Sequence, residues 1–178
     1  MRLLIIIITG TVLAFQSCEK DPIANSQVCK PENKPEITDT QNRNTPQLKG
    51  HWQLVNIQNF SNQVYLAYDS LTGRKPVLKF QTNKEVNILG PINECLGKYH
   101  TVQESGKDWL HLLGRGDKPE IGCTLIYGGE KIAKWETKYF KMIGNVTCYR
   151  INDNGQNLIL QYFISKAKKG ELIYKKEN

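Results

Sequence analysis

The sequence predicts a mainly β (α+β) domain: a small antiparallel sheet or barrel carrying one late amphipathic helix. Three observations predict it. Short runs of strand-forming residues recur between turn residues from position 51 onward. The apolar period changes once, over 130–144, from two to between three and four. A strong hairpin pattern then closes the chain, "VTCYRIN" (146–152), "DNG" (153–155) and "NLILQYFIS" (157–165).

The elements follow in order. "HWQLVNIQ" (51–58) and "VYLAY" (64–68) are rich in strand formers, and "PVLKFQ" (76–81) places Leu78 and Phe80 on one face. "KYHTV" (98–102) and "DWLHLLG" (108–114), joined by the turn-like "QESGK", read as a hairpin. "GCTLIYG" (122–128) is a further strand candidate. In "EKIAKWETKYFKMIG", Ile132, Trp135, Tyr139 and Ile143 form one helical stripe, widened by Phe140 and Met142, and Gly144 is the expected stop. "KKG" (168–170) is expected to turn the chain before the last strand, "ELIYKK".

Ahead of this body lie two segments of different character. From Leu3 to Phe15 the chain is mostly apolar behind Met1 and Arg2. That run is shorter than the roughly 20 residues a membrane-spanning helix needs, and it suits the apolar centre of an export signal. Residues 19–46 are dominated by Pro, Asn, Thr and charge without periodicity, as a flexible tether is. The expected organisation is a signal over 1–17, a tether over 18–46 and one β domain over 47–178.

The chain has 178 residues, 39% hydrophobic and 23% charged, with a formal net charge of +7. Its mean hydropathy of -0.48 is that of a folded body with a polar surface. The lysines are spread out, with local clusters only at Lys166, Lys168, Lys169 and at Lys175, Lys176. An exported protein rarely meets nucleic acid, so no nucleic-acid partner is expected, and the lysines read as a solvated face. Attraction to anionic glycans or membrane headgroups is the second reading.

Ser17 immediately precedes Cys18, and Glu19, Lys20 and Asp21 end the apolar run. This stretch resembles a bacterial lipoprotein signal, in the looser form of Bacteroidota lipoproteins, since Phe15 and Gln16 depart from its tightest form. The resemblance implies that Cys18 becomes an acylated N-terminus, anchored in the outer membrane and facing the periplasm or the cell surface. The acidic residues beside Lys20 loosely resemble surface-export signals of the same group.

Beyond Cys18 there remain Cys29, Cys95, Cys123 and Cys148. Four cysteines in an oxidising compartment suit two disulfides and allow three pairings, among which sequence does not choose. The preferred bridge is Cys95–Cys123, since both lie inside the domain; Cys29 either reaches Cys148 or stays free. No C-x-x-C and no ligand-spaced histidine pair points to a metal, and no cofactor is expected.

Leu48, Gly50 and Trp52 spell L-x-G-x-W, Phe80 ends a strand, and "NECLGKY" sets Asn93, Gly97 and Tyr99 in register. With Cys123, Glu136, Phe140, Leu158 and Leu160 following in order, the body is similar to the META (HslJ-like) domain family over about 48–175. Ile92 stands where that family has cysteine, and Cys95 where it has an aromatic. The resemblance implies a side-chain-filled body in secretion, heat-shock or envelope-stress roles. L-x-G-x-W is also reminiscent of calycin barrels, the lipocalins among them, which implies a carrier of a small apolar ligand. Under either resemblance Trp52 closes the barrel bottom.

Catalytic chemistry finds little support. His51, His100 and His111 lie in no nucleophile setting, and no G-x-S-x-G elbow is present. Glu94, Glu104, Asp108 and Asp117 read as surface charge, and Trp52, Trp109 and Trp135 as core. Arg115-Gly116-Asp117 in "GRGDKP" reads as a turn rather than an adhesion ligand. "NFS" (59–61) and "NVT" (145–147) match glycosylation acceptors that a bacterial lipoprotein would not use. The expectation is a non-enzymatic envelope protein that binds an envelope protein, a glycan or a small apolar ligand.

Overall fold

The structure, a computed structural model, describes residues 29–37, 45–60, 74–113, 122–152 and 154–177. Cys18, the strand candidate at 64–68, the Arg-Gly-Asp tripeptide and Asp153 of the final hairpin turn lie outside them.

The strands are β1 (Gly50–Asn59), β2 (Val77–Phe80), β3 (Glu85–Leu89), β4 (Glu94–Glu104), β5 (Lys107–Leu113), β6 (Gly122–Cys123), β7 (Val146–Ile151), β8 (Asn157–Ser165) and β9 (Lys168–Lys176), with helix α1 (Glu130–Ile143) between β6 and β7. All pairings are antiparallel, and the ladder runs β3-β2-β1-β9-β8-β7-β5-β4-β6 with β3 also paired to β4. That extra pairing closes every strand but β6 into an eight-stranded barrel. Closure gives each of those strands a partner on both sides, although β5 and β7 meet at only two residue pairs, Asp108 with Tyr149 and Trp109 with Cys148. β6 continues the line of β5 along β4, pairing with Cys95 and Leu96 where β5 pairs with Lys98 onward.

Strand alternation fills the interior. Trp52, Leu78, Ile88, Tyr99, Leu110, Leu158, Leu160, Leu172 and Tyr174 are essentially fully buried in one apolar cluster. At one end, Trp52 donates from Nε1 to the Leu48 carbonyl (2.7 Å), and Lys176 Nζ lies 5.4 Å from the centre of its ring. Gly50 opens β1 at φ 123°, a conformation that side chains resist. At the other end lies α1. Tyr139 stacks on Trp135, reaches the core and meets the Tyr174 hydroxyl (3.1 Å). Burial pushes both phenols up. Among the described residues, no helix is long and apolar enough to cross a membrane.

Four expectations differ from what is found. The strand pattern at 122–128 stops at Cys123, and residues 124–129 are irregular. The last turn is at Lys166 and Ala167, not at 168–170; Lys168, Lys169 and Gly170 belong to β9. Gly170 is there because Gln58 and Tyr162 leave no room for a Cβ. β3 has no counterpart among the strand candidates, although Val86 and Ile88 alternate inward. The tether expected over 18–46 reaches less far into the chain, since residues 29–37 are docked on the barrel. Cys29 is buried and bonded to Cys148, with Cα atoms 6.0 Å apart. Thr147 Oγ1 donates to its carbonyl, and its N–H donates to Gln161 Oε1.

Candidate functional site

Three regions outside the barrel interior bring chemistry-bearing residues together. The first is a helix clamp. Asn93 sits in the β3–β4 turn and Glu136 on the buried face of α1. Glu136 Oε1 accepts the N–H groups of Ile92 (2.9 Å) and Asn93 (2.8 Å), and Oε2 accepts Asn93 Nδ2. Asn93 Oδ1 in turn accepts Ile126 N–H (2.7 Å) and the Thr124 hydroxyl (3.0 Å), while Nδ2 also reaches the Ile126 carbonyl (3.1 Å). Gly90 makes room for the carboxylate: a Cβ there would lie 2.4 Å from Glu136 Oε1. Every polar atom of both side chains is engaged, so this region organises structure and leaves no group for a ligand. Gly97 and Tyr99 follow on β4, Gly97 opposite Val86 and Tyr99 edge-on to Phe80 with its hydroxyl donating to the Gln81 carbonyl. Cys95 and Cys123 face each other across the β4–β6 ladder and are joined by a disulfide.

The second region is on the outer face of β4, β5 and β7, beneath residues 29–37. Val102, Trp109, Cys29 and Cys148 form a small apolar cluster. His100 and His111 are cross-strand partners beside it. Lys34 donates to the Val146 carbonyl (3.3 Å). Burial lowers the Lys34 ammonium to about 8. Burial, then the charges of Lys34 and His100, lower the His111 imidazole to about 4. Trp109 Nε1 and His111 Nε2 are buried without hydrogen-bond partners among the described residues. Nothing in the sequence signals this basic cluster, because Lys34 comes from a segment with no periodicity. His51 lies apart, exposed on β1 opposite Lys79.

The third region is a groove of about 260 Å³ at the α1 end of the barrel, lined by Asn59, Lys138, Lys141, Met142, Tyr162, Ile164 and Lys168. Helix spacing sets Lys138 and Lys141 one turn apart, and the β8–β9 hairpin supplies Lys168 from across the groove. None of the three lysines has an acidic partner among the described residues. The groove thus joins three exposed lysines to the half-buried apolar side chains of Met142 and Ile164. Such a pocket suits the charged end of an amphiphilic anion. Among the described residues, no group of three or more histidine, cysteine, aspartate or glutamate side chains is arranged to hold a metal ion.

No protein family profile matches the chain, and no curated protein matches it. Among solved structures, it is similar to a DUF4847 family protein from Bacteroides vulgatus ATCC 8482, at 10% identity and a TM-score of 0.45. The similarity covers 73% of this chain and 95% of that one.

Proposed function

We propose that this is a lipid-anchored, non-enzymatic binding protein of the cell envelope that takes the charged end of an acidic amphiphile in the groove beside α1. The observation that carries the reading is the groove, where three lysines with no acidic partner among the described residues line one space with Met142 and Ile164. The anchor rests on Cys18 and the apolar run before it, in an outer-membrane lipoprotein facing the periplasm or the surface. An acyl anchor holds the body beside a membrane rich in such amphiphiles. A META-like, side-chain-filled body accords with this reading, since the ligand is then bound outside the barrel.

The closed eight-stranded barrel favours a second reading, a calycin-like carrier with its ligand inside. Trp52, Tyr99, Tyr139 and Tyr174 occupy that space, and Tyr139 would have to part from Tyr174 to open it.

Titration with a fluorescent long-chain fatty acid separates the two. The groove reading expects saturable micromolar binding that Lys138→Glu with Lys168→Glu weakens at least about tenfold, the scale for loss of charged contacts. Binding unchanged by those substitutions but lost on Tyr174→Trp would favour the interior. Labelling cells with radioactive palmitate tests the anchor separately: Cys18→Ala should abolish incorporation and membrane retention.

A further inference from the structure

Residues 125–127, Leu-Ile-Tyr, are the most exposed apolar feature of the described residues. Leu125 is 97% exposed, Tyr127 77% and Ile126 59%. Large apolar side chains scattered singly need no explanation, but three in succession form a patch that invites one. The segment is also held in place. The Cys95–Cys123 disulfide fixes the residue before Thr124, and the Thr124 N–H donates to the Glu94 carbonyl (3.0 Å). Both backbone polar groups of Ile126 are bonded to the Asn93 side chain. Gly128 then packs so tightly on Ile92 that a Cβ would overlap it, and Gly129 turns at φ 90° into α1. The result is a finger with a fixed base and an apolar tip.

We infer that this finger docks the barrel onto an anionic lipid bilayer, with Leu125 and Tyr127 entering the interfacial layer. Three features favour lipid over a protein partner. A three-residue tip is far smaller than the roughly 800 Å² per partner that a stable protein interface needs. The peptide groups of Ile126 are already satisfied by Asn93, so their burial in a water-poor layer leaves no unpaired donor or acceptor there. Tyrosine beside leucine suits the interface, where a ring is half in hydrocarbon and its hydroxyl stays wet.

The charge at the same end of the barrel matches, with Glu94 the acid bonded beside the finger. On α1, which starts two residues after Gly128, Lys131, Lys134, Lys138 and Lys141 are exposed against the single exposed acid Glu130; the other helix acid, Glu136, is buried in the clamp. Lys166 and Lys168 are exposed on the β8–β9 hairpin at the same end of the barrel. Acyl anchoring at Cys18 would bring this surface to a membrane but is not required for it to bind. The inference shares Lys138, Lys141 and Lys168 with the groove, but Leu125, Ile126 and Tyr127 are not part of the groove lining.

Vesicle co-sedimentation tests it. The mature chain from residue 18, carrying Cys18→Ser so that no acyl group contributes, is mixed with phosphatidylglycerol–phosphatidylethanolamine vesicles or with phosphatidylcholine vesicles. Binding to the anionic vesicles is expected, with at least about tenfold weaker partition to the zwitterionic ones, since cation attraction to anionic lipid adds up lysine by lysine. Leu125→Ser with Tyr127→Ser should reduce anionic partition roughly tenfold or more, as the apolar tip is lost. The same double variant should leave the thermal melt and the fatty-acid titration unchanged, and Leu125→Met with Tyr127→Phe should keep the vesicle binding. Absence of sedimentation by the parent chain overturns the inference. So does equal sedimentation by the serine variant, or equal partition to both lipids. A concentration-dependent dimer that the serine variant abolishes would assign the finger to a contact between copies and overturn it as well. If Lys138→Glu with Lys168→Glu leaves the fatty-acid titration unchanged while Leu125→Ser with Tyr127→Ser weakens anionic vesicle binding, the groove reading fails and the finger stands.

Discussion

Glu136 and Asn93 lie 43 positions apart in the chain and are joined by two hydrogen bonds, from the backbone N–H and the side-chain Nδ2 of Asn93. A third, from Ile92 N–H, completes the carboxylate's set. The relationship does two things at once. It holds α1 against the β3–β4 turn, which seats Tyr139 in the barrel. It also fixes the Asn93 carboxamide so that its oxygen and amide grip Ile126. Helix seating and the presentation of residues 125–127 therefore depend on one buried polar pair.

Asn93→Asp is the sharpest test of that pair. It keeps the shape but replaces the Nδ2 donor with an acceptor facing the Glu136 carboxylate. Leaving buried groups unsatisfied costs about 1–3 kcal/mol each, more where charge is involved. Urea unfolding at neutral pH should show a lower midpoint with an unchanged slope, equivalent to a stability loss of at least about 1–3 kcal/mol. Glu136→Gln, which turns one acceptor into a donor, should fall in the same range. A midpoint for Asn93→Asp within experimental error of the parent would mean that the clamp does not hold the helix.

How far the sequence revealed this arrangement can be argued from the same residues. The helical stripe of Tyr139 and Ile143 and the alternation of Leu158 and Leu160 are local patterns, and both are buried as expected. Asn93 and Glu136 stand out only through family resemblance; no local pattern shows that a turn amide and a helix carboxylate meet. Val86 and Ile88 of β3 do not stand out in the sequence, because five residues hold too few alternations. "TLIYG" reads as strand by propensity, yet the chain leaves the ladder after Cys123 because the Asn93 side chain takes the place of a neighbouring strand at Ile126. The groove was not legible at all, since Lys138, Lys141 and Lys168 come together only through the way α1 crosses the β8–β9 hairpin. Lys34 and Cys29 sit in a stretch whose composition is that of a linker. Their burial is imposed by the bond to Cys148 and by contacts with β7 that no period encodes.

The two disulfides should differ in their effect on stability. Cys29–Cys148 closes 119 positions and Cys95–Cys123 closes 28. In the chain-entropy model these loops stabilise the fold by roughly 5 and 3.5 kcal/mol. Cys29→Ser with Cys148→Ser should therefore lower the melting temperature more than Cys95→Ser with Cys123→Ser. The first pair should also release residues 29–37, seen as faster hydrogen exchange at Cys29 and Lys34, while the barrel strands stay protected. The second should loosen residues 122–127 only. Equal losses from both pairs, or loss of barrel protection without the Cys29 bridge, would count against this division. Peptide mapping without reductant provides the covalent check: free thiols at Cys29 and Cys148 in exported protein would remove the premise.

The basic cluster beneath residues 29–37 should make stability depend on pH in two separate windows. His111 is lowered from 6.5 to about 4, first by burial, then by Lys34 and His100. Between those values the unfolded chain binds the proton and the folded protein resists it, so stability rises with pH across that interval. The His111 contribution is fully present above pH 6.5 and is lost as pH falls toward 4. Lys34, lowered by burial from 10.5 to about 8, follows the same sign higher on the scale, with stability rising again between pH 8 and 10.5. Both groups are partly open to solvent, so solvent screening reduces each effect. Differences between variant and parent isolate them from the carboxylates that titrate elsewhere. His111→Gln should flatten the stability curve between pH 4 and 6.5 and leave the alkaline limb alone, whereas Lys34→Met should flatten only the alkaline limb. Lys34→Met should also raise the His111 titration toward its ordinary value, because it removes a cation beside the ring. Urea midpoints at half-unit pH intervals, with His111 followed by its imidazole proton resonances, measure all three. Curves parallel to the parent in both windows would show that these two side chains are hydrated in the folded protein and would remove the basic cluster as a source of pH dependence.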